Sequence, residues 1–498
     1  MYVLWEMEDR GLKLDPERVR YHHDRLEAES GSINTNFRNH PVVAGALQLN
    51  VLVDEEARVA SLRAAELASL NSARTTYDSS VEAFRAAKAS STKPDFTIKS
   101  LGPKPKLVRT SSCDAALILL RQELARAANF NLGSSQQKAW LLYDKLGLKA
   151  LTKKRSKEGD STTTTEAKEL TKLLRRKLKP ELKEIIELII SYAEPKHTLN
   201  TFIKACYVKK DFTCSIADRL HPAYGLHRTS TGRIASGSDT NEKSTAIKVN
   251  AQNQPKEVRD MYIADNGYVF VGFDWKGLEN LIVFWLAGDV ANFNKFAYGL
   301  DKNGIAWDAH RTMAAELFGM DYYNITKPQR ELAKKGRHAI NYTAGPTRIA
   351  NEMGVELKLA KALIEADHKT YPLVAKWREE VVAEAHRQRY LETPFGWRRD
   401  GFYSKEPQYI GEIVSTKPQG IGGDMCKIRL PDVAAAAHAV GGWPAMTVHD
   451  YIGACVPEGT AVVFEKSIKA IGEAPFRTLG NLSFPVDTFR GVNWLAAS

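Results

Sequence analysis

GYVFVGFDWKGLENLIVFWLAGD, residues 267–289, changes texture twice. Its first nine residues are almost continuously apolar, the pattern of a buried strand, and the run stops at Asp274. KGLENLIVFWLAGD then reads as a helix. A carboxylate at the end of a buried strand is costly unless it is paired, hydrogen-bonded or metal-bound. AMTVHDYIGACVP (445–457) repeats the pattern far along the chain, with two short apolar strands meeting at His449 and Asp450. Taken singly, Asp274 reads as a helix cap and Asp450 as a turn residue. Together they are hard oxygen donors from different strands, able to converge on Mg²⁺. Two such ions, roughly 3.5–4 Å apart, activate a hydroxyl nucleophile and stabilise the leaving oxygen of an in-line displacement.

Between the two aspartates lies a long helical region, 290–390. Within it, RELAKKGRHAINYTAG (330–345) sets Arg330, Lys334, His338 and Tyr342 at four-residue steps. Each step advances about 400°, so the residues form one slowly turning stripe of about 18 Å. Thr326 and Gln329 form a capping box with Pro328 between them, which predicts a helix start near 326. The stripe is about as long as a nucleoside triphosphate. Its cations suit the phosphates and its rings the sugar and base, with His310 and Arg311 adding to the phosphate end. A solvated surface stripe is the alternative that spacing leaves open.

The 498 residues, 43% of them hydrophobic, suffice for several folded domains. A net charge of +11 tilts the choice of partner toward a polyanion. Five cysteines without a CxxC pair exclude a zinc knuckle and a disulfide scaffold and fit a reducing compartment. No apolar run of membrane-spanning length and no signal peptide is apparent, so a cytoplasmic protein is expected. Residues 1–90 read as helical, and 91–112, rich in Pro, Lys and Ser, as an exposed connection or insertion. The stretch 152–179 has a polar tip followed by Lys172, Arg175, Arg176, Lys177 and Lys179. By itself it is a solvated face; beside DNA it suits nonspecific phosphate contact.

The order of segments resembles family A DNA polymerases, the DNA polymerase I group that includes many phage enzymes. VGFDWKGLE is similar to motif A, RELAKKGRHAINY to motif B and TVHDY to motif C of that family. LWEMEDRGLKLD (4–15) resembles the start of the polymerase domain and FNLGSSQQKAWLLYDKLGL (130–148) its thumb. TSTGRIAS, NAQNQP (250–255), ETPFGWRR (392–399) and PQGIGGDMCK (418–427) resemble its further segments.

The resemblance implies a mixed α/β right-hand fold, with an antiparallel-sheet palm and largely helical fingers and thumb. The expected division is 1–215 for base and thumb with a basic tip at 152–179, 216–292 and 405–498 for the palm, and 293–404 for the fingers. It implies template-directed 5′–3′ DNA synthesis on primer-template DNA from deoxynucleoside triphosphates. Two Mg²⁺ ions, with Mn²⁺ as a possible substitute, would be held by Asp274, Asp450 and the carbonyl of Trp275. Lys334 counts with the two aspartates as catalytic. Arg330, Lys334, His338, Tyr342 and His310 would bind the nucleotide, and Glu279 would be a steric gate against a ribose 2′-hydroxyl. Arg233, Gln252, Asn253, Gln419 and His449 would contact DNA.

Departures from the family pattern are His338 for Phe or Tyr, Thr343 for Gly, Tyr451 for Glu, Leu281 for Arg and Ser415 for Asn. The chain opens on the segment that follows a proofreading domain in full-length relatives. The expectation is therefore no exonuclease in this polypeptide: either a separate exonuclease subunit or processivity factor is a partner, as in a phage with a split polymerase acting in a bacterial host's cytoplasm, or the sequence is a trimmed part of a longer chain. The rival readings are a single-subunit RNA polymerase, which Glu279 and the TSTGR and PQG segments disfavour, and a catalytically inactive DNA-binding or accessory subunit, which retention of both aspartates disfavours.

Overall fold

The computed structural model describes residues 2–47, 49–90, 112–154, 161–174, 176–210, 213–226, 228–237, 250–404 and 407–498. The connection expected at 91–112 falls outside these residues except for its last position, as do 155–160 and Arg175 of the basic stretch. The chain divides into two compact units, one of Leu26–His197 and one of Met1–Arg25 with Thr198–Ser498.

The Leu26–His197 unit is largely helical, with one strand pair, Thr152–Lys154 and Ser161–Thr163; of residues 1–90, expected to be helical, Leu12–Leu14 instead forms a strand. The unit includes Leu49–Ser90, Ser112–Ala128 and a π-helical turn, Trp140–Lys145. Its core gathers Phe37, Phe130, Leu141, Leu142, Ile185, Ile186 and Ile189. Ion pairs Arg63–Asp114 (2.7 Å) and Arg121–Glu56 (2.8 Å) tie the two long helices together. Lys172 lies against Glu169 (2.6 Å), whereas Arg176, Lys177 and Lys179 are exposed.

In the other unit the chain's first residues are anchored by non-local pairing. Leu12–Leu14 forms the middle strand of a three-stranded sheet, between Arg219–Leu220 and Tyr262–Ile263. His22 Nε2 also meets Asp260 at 2.6 Å. The main sheet has four antiparallel strands in the order Trp443–Val448, Tyr451–Pro457, Tyr268–Trp275, Val486–Gly491. Its side chains alternate between faces, as a pleated strand requires. Val269, Val271, Phe273 and Trp275 enter the large core with Ile452, Ala454 and Val456. Helices Pro407–Ala439 and Ala461–Glu473 pack against the sheet. By alternation Gly272 and Asp274 lie on the opposite face, with their register partners Gly453 and Tyr451. In Tyr268–Trp275 the odd positions 269–275 thus build the core, while Asp274 lies on the other face.

Lys327–Asn341 begins where the sequence predicts. Thr326 caps it, with both arms of the capping box formed through Gln329 and a proline in the first turn. The helix rests on a buried polar support. Arg378 donates to Asp367 (2.7 Å) and to Asn341 (2.8 Å), and Asn341 donates to Asn280 (3.4 Å). Arg337, fully buried, stacks over Tyr371 at 3.9 Å and Phe284 at 4.9 Å. Pairing and stacking of this kind offset part of the cost of burying charge.

Candidate active site

The hairpin joining Trp443–Val448 to Tyr451–Pro457 consists of His449 and Asp450 alone, since Val448 pairs with Tyr451. His449 has φ 56°, a left-handed conformation usually left to Gly or Asn in such tight turns. The Cys426 thiol donates to the His449 carbonyl at 3.0 Å and helps hold it there. This turn puts Asp450 beside Asp274, and both line a cavity of about 190 Å³ with Arg259, Tyr451, Phe489, Trp494 and Ser498. Burial, then repulsion from Asp450 and Asp487, pushes the Asp274 carboxyl up to about 7. Burial likewise raises Asp450. Neither forms a salt bridge among the described residues.

These two carboxylates fit a divalent cation, which would neutralise like charges that burial has brought together. Among the described residues no cluster of three or more His, Cys, Asp or Glu side chains forms a metal cage. Such a donor pair matches an ion that draws its other ligands from backbone, water and phosphate. Asp487 sits opposite Asp274 in the strand register, yet it is exposed and paired with Lys276 at 2.8 Å.

Tyr451, in place of the family's glutamate, is accommodated by the sheet itself. Gly272 and Gly453 oppose each other, and a Cβ on either would stand 2.2 or 2.7 Å from the Tyr451 hydroxyl oxygen. Two glycines therefore vacate the space that the phenol fills. Leu281 is buried in the core, where an arginine would need a partner, and Ser415 is buried with its hydroxyl donating to Glu412 O at 3.1 Å.

Four sequence-predicted residues meet in one chain of contacts. Arg233 approaches Glu279 at 3.5 Å, the Tyr342 hydroxyl donates to Glu279 at 3.2 Å, and Gln419 donates to the Tyr342 hydroxyl. Gly423 makes this possible on one side, because a Cβ there would lie 2.9 Å from the Gly232 carbonyl and 3.1 Å from the Arg233 Cα. Burial, then the Glu279 charge, pushes the Tyr342 phenol up to about 12, so it remains a donor at neutral pH. His338 is exposed and its ring meets that of Tyr342 edge-on at 4.8 Å.

Tyr342 caps the helix, and the next residue, Thr343, has φ 51°. A left-handed turn, which suits glycine, is thus made here with a β-branched residue. Thr343→Gly is expected to stabilise the protein by up to about 1 kcal/mol, glycine's greater unfolded-state freedom offsetting part of the relief. Urea denaturation measures this, and a loss of stability would contradict the strain.

The phosphate-end residues are less uniform. Lys334 is exposed, with no ion-pair partner among the described residues. Arg330 is held by Asp308 (2.6 Å) and Glu331 (2.7 Å). His310 is half-buried with Nδ1 unbonded, and burial, then Arg337, drives its pKa down to about 4, leaving it neutral. Gln252 is buried and donates to Thr447 O at 3.3 Å, whereas Asn253 is exposed. Sequence reasoning missed Asp308 and Arg259. The spacing WDAHR, an N-cap Asp before a helix, signals the first but not its reach to Arg330.

A solved structure, the POL domain of Pol1 from M. smegmatis in complex with DNA primer-template and dNTP, superposes with a TM-score of 0.65 at 17% identity, covering 100% of this chain and 69% of that one. The fold is therefore the right-hand polymerase fold. The profile of DNA polymerase family A matches residues 110–496, well over half of the sequence, and the chain belongs to that family. Similar curated proteins include the thermostable DNA polymerase I of Thermus aquaticus, 26% identical over 390 residues (76% of this chain, 43% of that protein). DNA polymerase I of Pseudomonas aeruginosa is 29% identical over 276 residues, 54% of this chain and 27% of that protein. The chain thus spans less than half the length of these relatives. No helix among the described residues is long and apolar enough to cross a membrane.

Proposed function

We propose that the chain is a template-directed DNA polymerase extending a primer 3′-hydroxyl with deoxynucleoside triphosphates. The observation that carries this reading is the convergence of Asp274 and Asp450 on one cavity, each with its pKa raised. The main sheet, within 216–292 and 405–498, serves as the palm, 293–404 as fingers, and the helical part of 1–215 as base and thumb.

Asp274 and Asp450, with the Trp275 carbonyl, would hold divalent cations, Mg²⁺ or Mn²⁺, which when bound would neutralise phosphate charge and favour deprotonation of the primer hydroxyl. Lys334 and Arg330 bind and orient the triphosphate, and neutral His310 offers a hydrogen bond at the same end. Glu279, fixed by Tyr342, excludes a ribose 2′-hydroxyl, and His338 and Tyr342 flank the sugar and base. Arg233, Gln419, Asn253, Gln252 and His449 position the primer-template. Positioning and electrostatics account for most of the rate in such a site. Primer extension with and without divalent cation tests the reading. No extension in either condition would overturn it.

Protons and cations should compete at Asp274. Its folded pKa is raised from the usual 3.8 to about 7. Without a cation, the stability this group contributes is present at low pH and lost as pH rises through about 7. Mg²⁺ is therefore expected to raise the Tm by a few °C at pH 8 and by less at pH 6, measured by scanning calorimetry. A larger shift at pH 6 would contradict the assignment.

A further inference from the structure

We propose that Asp308 is the counter-anion that an incoming triphosphate must displace from Arg330, so that it sets nucleotide affinity and favours triphosphates over less charged phosphates. The inference rests on the polymerase reading and adds to it a residue that selects the ligand.

Asp308 is the N-cap of helix Ala309–Phe318. One carboxylate oxygen accepts the backbone N–H groups of His310 (2.8 Å) and Arg311 (2.9 Å), and the other accepts Arg330 Nε at 2.6 Å. Its own backbone N–H donates to the Tyr322 hydroxyl at 3.0 Å, and Arg311 donates to the carbonyls of Tyr322 (3.2 Å) and Ile325 (2.9 Å). The carboxylate is therefore fixed rather than a swinging surface charge. Burial alone would raise its pKa, but the Arg311 N–H and the Arg330 guanidinium hold it below the usual carboxylate range.

Arg330 has a second carboxylate, Glu331, at 2.7 Å. Two anions on one guanidinium leave little positive charge for a ligand. Glu331 is the more exposed of the two, 41% against 25%, and pairs with its immediate neighbour, so it is the weaker competitor. A fully ionised triphosphate carries enough charge to take Arg330 from Asp308. A pyrophosphate or monophosphate brings less and gains less. Lys334, one turn on and without an ion-pair partner among the described residues, provides the first attraction.

Asp308→Asn removes the charge and keeps the cap, because the single amide oxygen of asparagine can take the His310 and Arg311 N–H groups while its NH2 group, a donor, cannot accept from Arg330. In steady-state primer extension by the full chain, the variant is expected to show a KM for deoxynucleotide about two- to fivefold lower, with kcat within about twofold of wild type. Inhibition by inorganic pyrophosphate should strengthen. Asp308→Ser, another uncharged cap, should do the same if the Asn variant folds poorly. An unchanged or higher KM overturns the inference, as does an equal or larger fall in KM with Glu331→Gln. Equilibrium titration with a fluorescent deoxynucleoside triphosphate reads the displacement without catalysis: tighter binding to the variant supports it, and equal or weaker binding overturns it. If wild type fails to extend a primer while the variant binds nucleotide more tightly, the polymerase reading alone falls.

Discussion

Alanine at Asp274 or at Asp450 is expected to lower primer extension by about three orders of magnitude, the scale seen when one preorganised electrostatic group is removed. The sheet offers little to replace either side chain. Tyr451, the register partner of Asp274, carries no carboxylate, and Asp487 on the other side is turned to Lys276. The same substitutions should leave stability unchanged or improved, because each removes half of a repulsive buried pair. This combination separates a functional role from a structural one. A variant that keeps activity within tenfold of wild type, or that loses activity only by unfolding, would contradict the assignment.

The second large effect is on sugar choice. Glu279→Ala is expected to reduce discrimination between deoxy- and ribonucleotides by about a hundredfold, the upper range for one group's worth of shape exclusion. Glu279 is suited to the task because it is held from two sides, by the Tyr342 hydroxyl and Arg233. Tyr342→Phe should produce a smaller loss in the same direction, since it frees Glu279 without removing it. The ratio of kcat/KM values for the two sugars measures both. An unchanged ratio in Glu279→Ala would remove the gate from the mechanism.

Local signals carried much of this structure. The apolar run ending at Asp274 is a strand, KGLENLIVFWLAGD contains the helix Leu278–Leu286, and the Thr326 capping box starts its helix as predicted. Each depends on residues within a few positions of one another. Pairings distant in sequence were not legible. The four-residue stripe placed Arg330 among cations suited to phosphate but gave no sign that Asp308, 22 positions earlier, holds it. Tyr451 does lack the carboxylate of the family pattern, but the two opposed glycines that make room for its ring came only with the register. Thr343 read only as a departure from glycine; its left-handed φ of 51° came with the structure. The boundary expected at 215/216 likewise has no local cue for the pairing of Leu12–Leu14 with Tyr262–Ile263, which joins the first 25 residues to the C-terminal unit.

The most direct measurement is primer extension by the wild-type chain on a defined template, with Mg²⁺ and either deoxy- or ribonucleoside triphosphates. The account predicts templated extension with deoxynucleotides and strong rejection of ribonucleotides. Absence of extension, or equal use of the two sugars, would contradict it.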